Sequence, residues 1–127
     1  MSAAAFTNHE VVNKSPSDYV EIIVSLAVLV KAWSHSAFAY EMLESGGGIK
    51  PDTKMDHDIL ERYLRAQNAL KNGDAVTKPV IGIGIMDNVE IGIGREIAVA
   101  AYAIGLANMP VHVRVQQSKE IEKLLKA

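Results

Sequence analysis

The sequence predicts an α+β fold, and three observations carry that prediction. Val80–Gly94 reads V-I-G-I-G-I-M-D-N-V-E-I-G-I-G, with isoleucines and glycines alternating on either side of Asp87-Asn88. Period-two alternation around a turn signal is the mark of a β-hairpin. Val111–Val115 (V-H-V-R-V) alternates again, and between and around these stretches lie apolar runs with helix-capping signals. The expected layout is a single domain over residues 1–127. Two N-terminal helices are followed by a hairpin, helix, strand, helix unit, and the helices cover a small three-stranded mixed sheet.

Residues 1–14 have no clear period and read as an N-terminal arm, frayed or held by Phe6, Val11 and Val12 against a neighbouring subunit. Ser15-Pro16-Ser17-Asp18 looks like a helix start, with Ser15 as cap and Pro16 at the first helical position. The predicted helix runs to about Glu44, where Ser45-Gly46-Gly47-Gly48 stops it. It is apolar nearly all round, so it must be buried on every side, in part by a second copy of the chain. Thr53–Asp56 resembles a capping box, and Asn72-Gly73 a helix stop. Between them Ile59, Leu60, Tyr63, Leu64 and Leu70 form a stripe, with Asp58–Arg62 and Glu61–Arg65 as i,i+4 pairs.

The hairpin admits two registers. A two-residue turn pairs Ile85 with Glu90. A three-residue loop Met86–Asn88, the preferred reading, pairs Ile85 with Val89, Ile83 with Ile91 and Gly82 with Gly92, with Asn88 left-handed. The second register gathers the isoleucines on one face and leaves Gly82, Gly84, Gly92 and Gly94 as a bare strip on the other. Glycine weakens a strand, so the strip needs a reason. Either the small residues of the next helix (Ala98, Ala100, Ala101, Ala103) lie on it, or a flat or anionic ligand does. That helix is expected to end near Ala107. A strand at Val111–Val115, parallel to the second hairpin strand, and a short helix capped by Ser118 close the chain.

Composition narrows the function. Net charge is −2, which gives no electrostatic case for binding nucleic acid or an anionic membrane. The longest apolar run, Ile22–Val30, is too short to span a bilayer. With no cysteine, disulfides, thiolate catalysis and the His/Cys zinc centre of nucleobase deaminases are excluded. Asp56, His57, Asp58 and Glu61 do not complete a metal pattern, so no metal and no cofactor are expected. A cytoplasmic location and self-association fit the cysteine-free, edge-rich composition.

The best chemical candidate is the junction Gly92-Ile93-Gly94-Arg95-Glu96. A strand running through Gly-x-Gly into a helix offers free N–H groups, a positive dipole and the Arg95 fork to an anion. As a dinucleotide fingerprint it lacks the third glycine, since residue 97 is Ile. Glu90, His112 and Arg114 are placed as further ligand-binding candidates. The expected function is a non-catalytic homo-oligomeric module that binds a small anionic or nucleotide-like ligand at this junction. One alternative is an interaction or scaffold protein using the strip and apolar helix for assembly only. Another is a small enzyme with Glu90, His112 or His35 as acid or base.

Overall fold

The computed structural model describes residues 5–126. The protein is α+β, as its sequence predicts, but with two sheets and a different N-terminal half. Strands β1 (Ala5–Thr7) and β3 (Ala75–Thr77) form a small parallel pair. The main sheet has four strands rather than three, in the order β2 (Tyr19–Ser25), β6 (Asn108–Arg114), β4 (Val80–Ile83), β5 (Val89–Ile93). Five α-helices accompany them: α1 (Glu10–Lys14), α2 (Leu26–Trp33), α3 (His57–Asn72), α4 (Arg95–Ala103) and α5 (Ser118–Lys126). None of the helices among the described residues is long and apolar enough to cross a membrane.

The predicted long helix over residues 15–44 is absent. Pro16–Asp18 make one 3-10 turn, and the chain then extends into β2. Val20, Ile22, Ile23 and Val24 are β-branched, and such side chains favour a pleated surface over a helix. Their all-round apolarity reflects a strand that meets the core on one face and the edge of a sheet on the other. The helix starts only at Leu26, where Ser25 caps it by accepting the Val28 N–H at 3.3 Å. After Trp33, the chain to residue 56 holds only single 3-10 turns and a Leu43–Ile49 bridge. Gly46–Gly48 sit in the turn that joins this bridge.

The later elements follow their signals more closely. α3 ends at Gly73, which takes the left-handed conformation (φ 74°), and Arg65 pairs with Glu61 at 2.7 Å. The Asp58–Arg62 pairing takes a different form, since Arg62 Nε donates to the Asp58 backbone carbonyl at 3.4 Å. α4 stops at Ala103, before the expected end, because Gly105 (φ 91°) turns the chain into β6. Pro110 lies within β6 rather than before it.

β4 and β5 pair antiparallel, in neither expected register. Ile83 faces Val89 and Ile81 faces Ile91, so Gly82 meets Glu90 and not Gly92. The connection is a longer loop over residues 84–88, closed by Gly84 N–H to Asn88 O at 2.7 Å, and it leaves Ile85 exposed. Asp87 (φ 56°), not Asn88, is the left-handed residue. β6 runs parallel to β4, the first strand of this pair, not the second. α4 thus carries the chain past β4 to its far side.

The core lies on the sheet face that bears Val24, Ile81, Val89, Ile91, Met109, Val111 and Val113, roofed by α2, α4 and α5. Trp33 is fully buried there, with its Nε1–H unpartnered. The N-terminal arm pairs with its own chain through β1–β3. Lys78 Nζ holds it by bonding Asn8 Oδ1 (2.9 Å) and Glu21 Oε1 (2.5 Å), on the outer face of the main sheet. Val12 is buried apart from the main core.

Trp33 is the sole tryptophan and fills the centre of the core. Trp33→Ala is expected to cost about 3–5 kcal/mol, the range for emptying a large aromatic site. Trp33→Phe, which also removes the unpaired N–H, costs distinctly less. Urea unfolding followed by far-UV circular dichroism measures both.

Candidate functional site

The outer face of the main sheet carries the chemistry, and it is covered at one end only. In β6 the core-facing Val111 and Val113 alternate with His112 and Arg114, which point to this outer face. His112 lies between Glu21 of β2 and Val80 of β4 and is only 5% exposed. Its Nδ1 has no hydrogen-bond partner. Burial lowers its pKa from the ordinary 6.5, nearby Lys78 lowers it further, and Glu21 opposes both. The shift favours the neutral imidazole, which is enclosed rather than open to solvent.

Beyond His112 the face opens into a shallow depression of about 420 Å³, in the size range of small-molecule sites. Its floor is the β4–β5 ribbon at Gly82 and Gly92. Tyr19, Arg114 and Gln117 border it on one side and Glu90 on the other. Gly92 is the residue skipped where the ladder jumps from Val80–Ile93 to Ile81–Ile91, so it forms a β-bulge. It is exposed, and a Cβ there would meet nothing nearer than Val80 O at 3.7 Å.

The remaining glycines have separate reasons. A side chain at Gly84 would strike Asn88 Oδ1 at 2.8 Å and Glu90 Cγ at 2.9 Å. Gly82 faces the movable Gln117 Oε1 at 3.2 Å, and Gly94 is left-handed (φ 83°) against Pro79. The expected layer of alanines is not on this strip, because Ala98, Ala100 and Ala101 of α4 belong to the core on the opposite face. Of the four ribbon glycines 82, 84, 92 and 94, Gly92 alone has room for a side chain without a tight contact or a left-handed backbone.

Arg114 borders this floor with its guanidinium 5.4 Å from the Tyr19 ring. It makes no ion pair among the described residues. Glu90, at the other border, is already engaged. Ser36 Oγ lies 2.6 and 2.8 Å from its two oxygens and donates its proton to the carboxylate, and Asn88 Nδ2 donates at 3.0 Å. Ser36 Oγ in turn accepts the Phe38 N–H at 3.0 Å.

Arg95 is engaged as well. Its Nε stands 2.9 Å from Glu41 Oε1, aligned as an ion pair rather than a hydrogen bond, and its guanidinium lies 5.7 Å from the Phe38 ring. Glu90 and Arg95 therefore pin residues 36–41 to β5 and the start of α4. Of the residues singled out by sequence, Glu90, Gly92 and Arg114 border one depression. Gly94, Arg95 and the enclosed His112 sit outside it. His35 is exposed, on a separate depression of about 460 Å³ with Lys31, Asp87 and Lys126. Sequence reasoning passed over Tyr19, Ser36 and Gln117. Tyr19 and Ser36 were hidden inside the supposed long helix.

No protein-family profile matches the chain, and no curated protein matches it in sequence. Among solved structures it is similar to the oncogenic suppression activity protein, a plasmid fertility inhibition factor crystallised as a gold(I) cyanide derivative. The TM-score is 0.53 at 13% identity, covering 90% of this chain and 66% of that one. The chain thus spans just under two thirds of that protein's length. At so low an identity the likeness is one of fold.

Two outcomes follow from the site. Ser36→Ala leaves the Glu90 carboxylate and the Phe38 N–H each short of a partner, and should cost about 1–3 kcal/mol in urea unfolding monitored by Trp33 fluorescence. For His112 the folded pKa is the lower one, so the unfolded chain takes up the proton first as pH falls. Its contribution is fully present above about pH 6.5 and is lost on acidification from there toward the folded value, by up to about 1.4 kcal/mol per pH unit. His112→Gln should flatten stability measured between pH 7 and pH 5.5.

Proposed function

We propose that the chain is a binding module for a small, flat, anionic ligand seated on the outer face of the main sheet. The ligand's acid group meets Arg114, and its flat part crosses the Gly92 bulge. The observation that carries this reading is an arginine without a carboxylate partner beside an exposed, side-chain-free stretch of strand in the same depression. Bare backbone lets a planar group approach to van der Waals distance, and the guanidinium fork suits phosphate or carboxylate. A nucleotide-like compound fits both demands. Glu90 and Asn88 would accept or donate to its polar edge at the far border.

The proposed seat differs from the Gly92–Arg95 junction to which the sequence points. Arg95 is neutralised by Glu41, and an anion there would have to displace that carboxylate. The reading is one of binding without turnover. Glu90 is committed to Ser36, His112 is enclosed, and His35 stands in another depression, so the three acid–base candidates do not share a substrate.

A thermal-shift screen of nucleotides, inorganic phosphates and small carboxylates tests the proposal. A ligand at a hundred times its Kd stabilises the folded chain by about 2.7 kcal/mol and raises its Tm accordingly. Arg114→Ala and Gly92→Leu should abolish the shift. Gly92 has an ordinary backbone and room for a side chain, so that variant keeps the fold while filling the depression. Arg95→Ala should lower the starting Tm yet preserve the ligand-induced rise. A rise that survives Arg114→Ala and Gly92→Leu but vanishes in Arg95→Ala would return the site to the strand–helix junction.

A further inference from the structure

We propose that β2 is a self-pairing edge: two copies of the chain join β2 to β2 antiparallel, about a twofold axis through Ile23, into one continuous eight-stranded sheet. The proposal is independent of the ligand reading and begins with backbone direction. The His112 N–H donates to Pro79 O of β4, so the backbone groups of His112 face β4. Alternation turns those of Val111 and Val113 toward β2, where they meet Ile22 and Val20. The N–H and C=O groups of Glu21 and Ile23 and the N–H of Ser25 consequently point outward, while the Ser25 carbonyl, at the N-cap, turns into α2. No strand among the described residues pairs with them. A twofold axis on Ile23 sets Ile23 against its own copy and Glu21 against Ser25. Tyr19 also points outward, but its counterpart across this axis, Ala27, lies in α2, so the paired ribbon runs from Glu21 to Ser25.

The two edges of the main sheet are not equivalent. β5 has five residues, a glycine and a bulge, all of which spoil it as a template. β2 has seven residues in unbroken register, with no glycine, proline or lysine. Its one charge, Glu21, is taken by Lys78 of the same chain. Ile23 is 66% exposed on this edge, and Val20 and Val28 nearby are exposed too. Strand edges left in this state normally have a partner.

The occupant is a second copy because the surroundings are self-complementary. A groove of about 400 Å³ runs along the edge on the core side, bordered by Val28, Leu125, Glu122 and Lys126. The twofold axis brings two such grooves together, with the α5 helices antiparallel across the axis. Glu122 of each copy is then presented to Lys126 of the other, and apolar Val28 and Leu125 line the trough between them. A neutral extended peptide would leave both charges unmatched.

The chain has no cysteine, so single-cysteine variants report on contacts cleanly. Sedimentation or light scattering of the wild-type protein should give twice 13.8 kDa. Ile23→Cys should cross-link to a dimer under mild oxidation, because a directly opposed hydrogen-bonded pair has Cα atoms about 5.5 Å apart, within disulfide reach. Val20→Cys, whose two copies would lie roughly 20 Å apart, should not. Ile23→Lys should yield a monomer with unchanged Trp33 fluorescence. Glu122→Lys should weaken the dimer, and adding Lys126→Glu should restore it. A wild-type protein that stays monomeric at every concentration overturns the proposal. So does a dimer in which Ile23→Cys fails to cross-link, or cross-links no better than Val20→Cys.

Discussion

Both faces of β6 must be kept from water, and much of the architecture is a response to that demand. The strand sits second in the sheet, between β2 and β4, and Met109, Val111 and Val113 are wholly enclosed. Their face is roofed by helices, as in any α+β domain. The other face bears His112, a polar side chain with an unpaired nitrogen that is likewise enclosed. Lys78 ties the N-terminal arm to β2 beside it by bridging Asn8 and Glu21, the strand partner of His112. The arm reaches on to the open depression, where Val11 lines the border with Tyr19 and Arg114.

A second requirement is to hold residues 34–56, which have no helix or strand of useful length. Such a segment cannot rely on a backbone ladder, so side chains must fix it. Met42, Leu43 and Met55 anchor it in the core. Ser36–Glu90 and Arg95–Glu41 fasten its first part to β5 and α4. Half-buried links of this sort matter more than exposed pairs such as Lys14–Glu10, where water screens the attraction. These contacts of Glu90 and Arg95 tie two conspicuous polar residues next to a glycine-rich ribbon to the segment that follows α2.

How far the sequence disclosed this depends on whether a signal was local. Gly73 after α3 and the valine alternation of β6 are local signals, and they mark real elements. The isoleucines 81, 83 and 91 do share a face with Val89, because cross-strand partners must. Their register was not legible, since it is set by a five-residue loop with Asp87 left-handed and by the bulge at Gly92, neither of which alternation reveals. Residues 19–33 misled for a different reason. An edge strand runs straight into a buried helix, and together they read as one apolar run without period. β-Branched composition before Ser25 and Leu/Ala-rich composition after it was the available clue. The candidate site was half visible: Glu90, Gly92 and Arg114 stand out in sequence, but Tyr19 beside Arg114 depends on pairing β2 with β6 across more than eighty intervening residues.

The division of labour between the two ends of the sheet follows from strand chemistry. Glycine gives β4 and β5 a floor onto which another group can descend, but it removes the side chains that would order an edge and invites a bulge. β-Branched residues give β2 a stiff, regular edge, and their bulk rules out a bare floor. One strand cannot supply both surfaces. Residues that suit a flat floor and residues that suit a regular edge thus fall on different strands, and β6, whose core face is filled by Met109, Val111 and Val113, lies between β2 and β4.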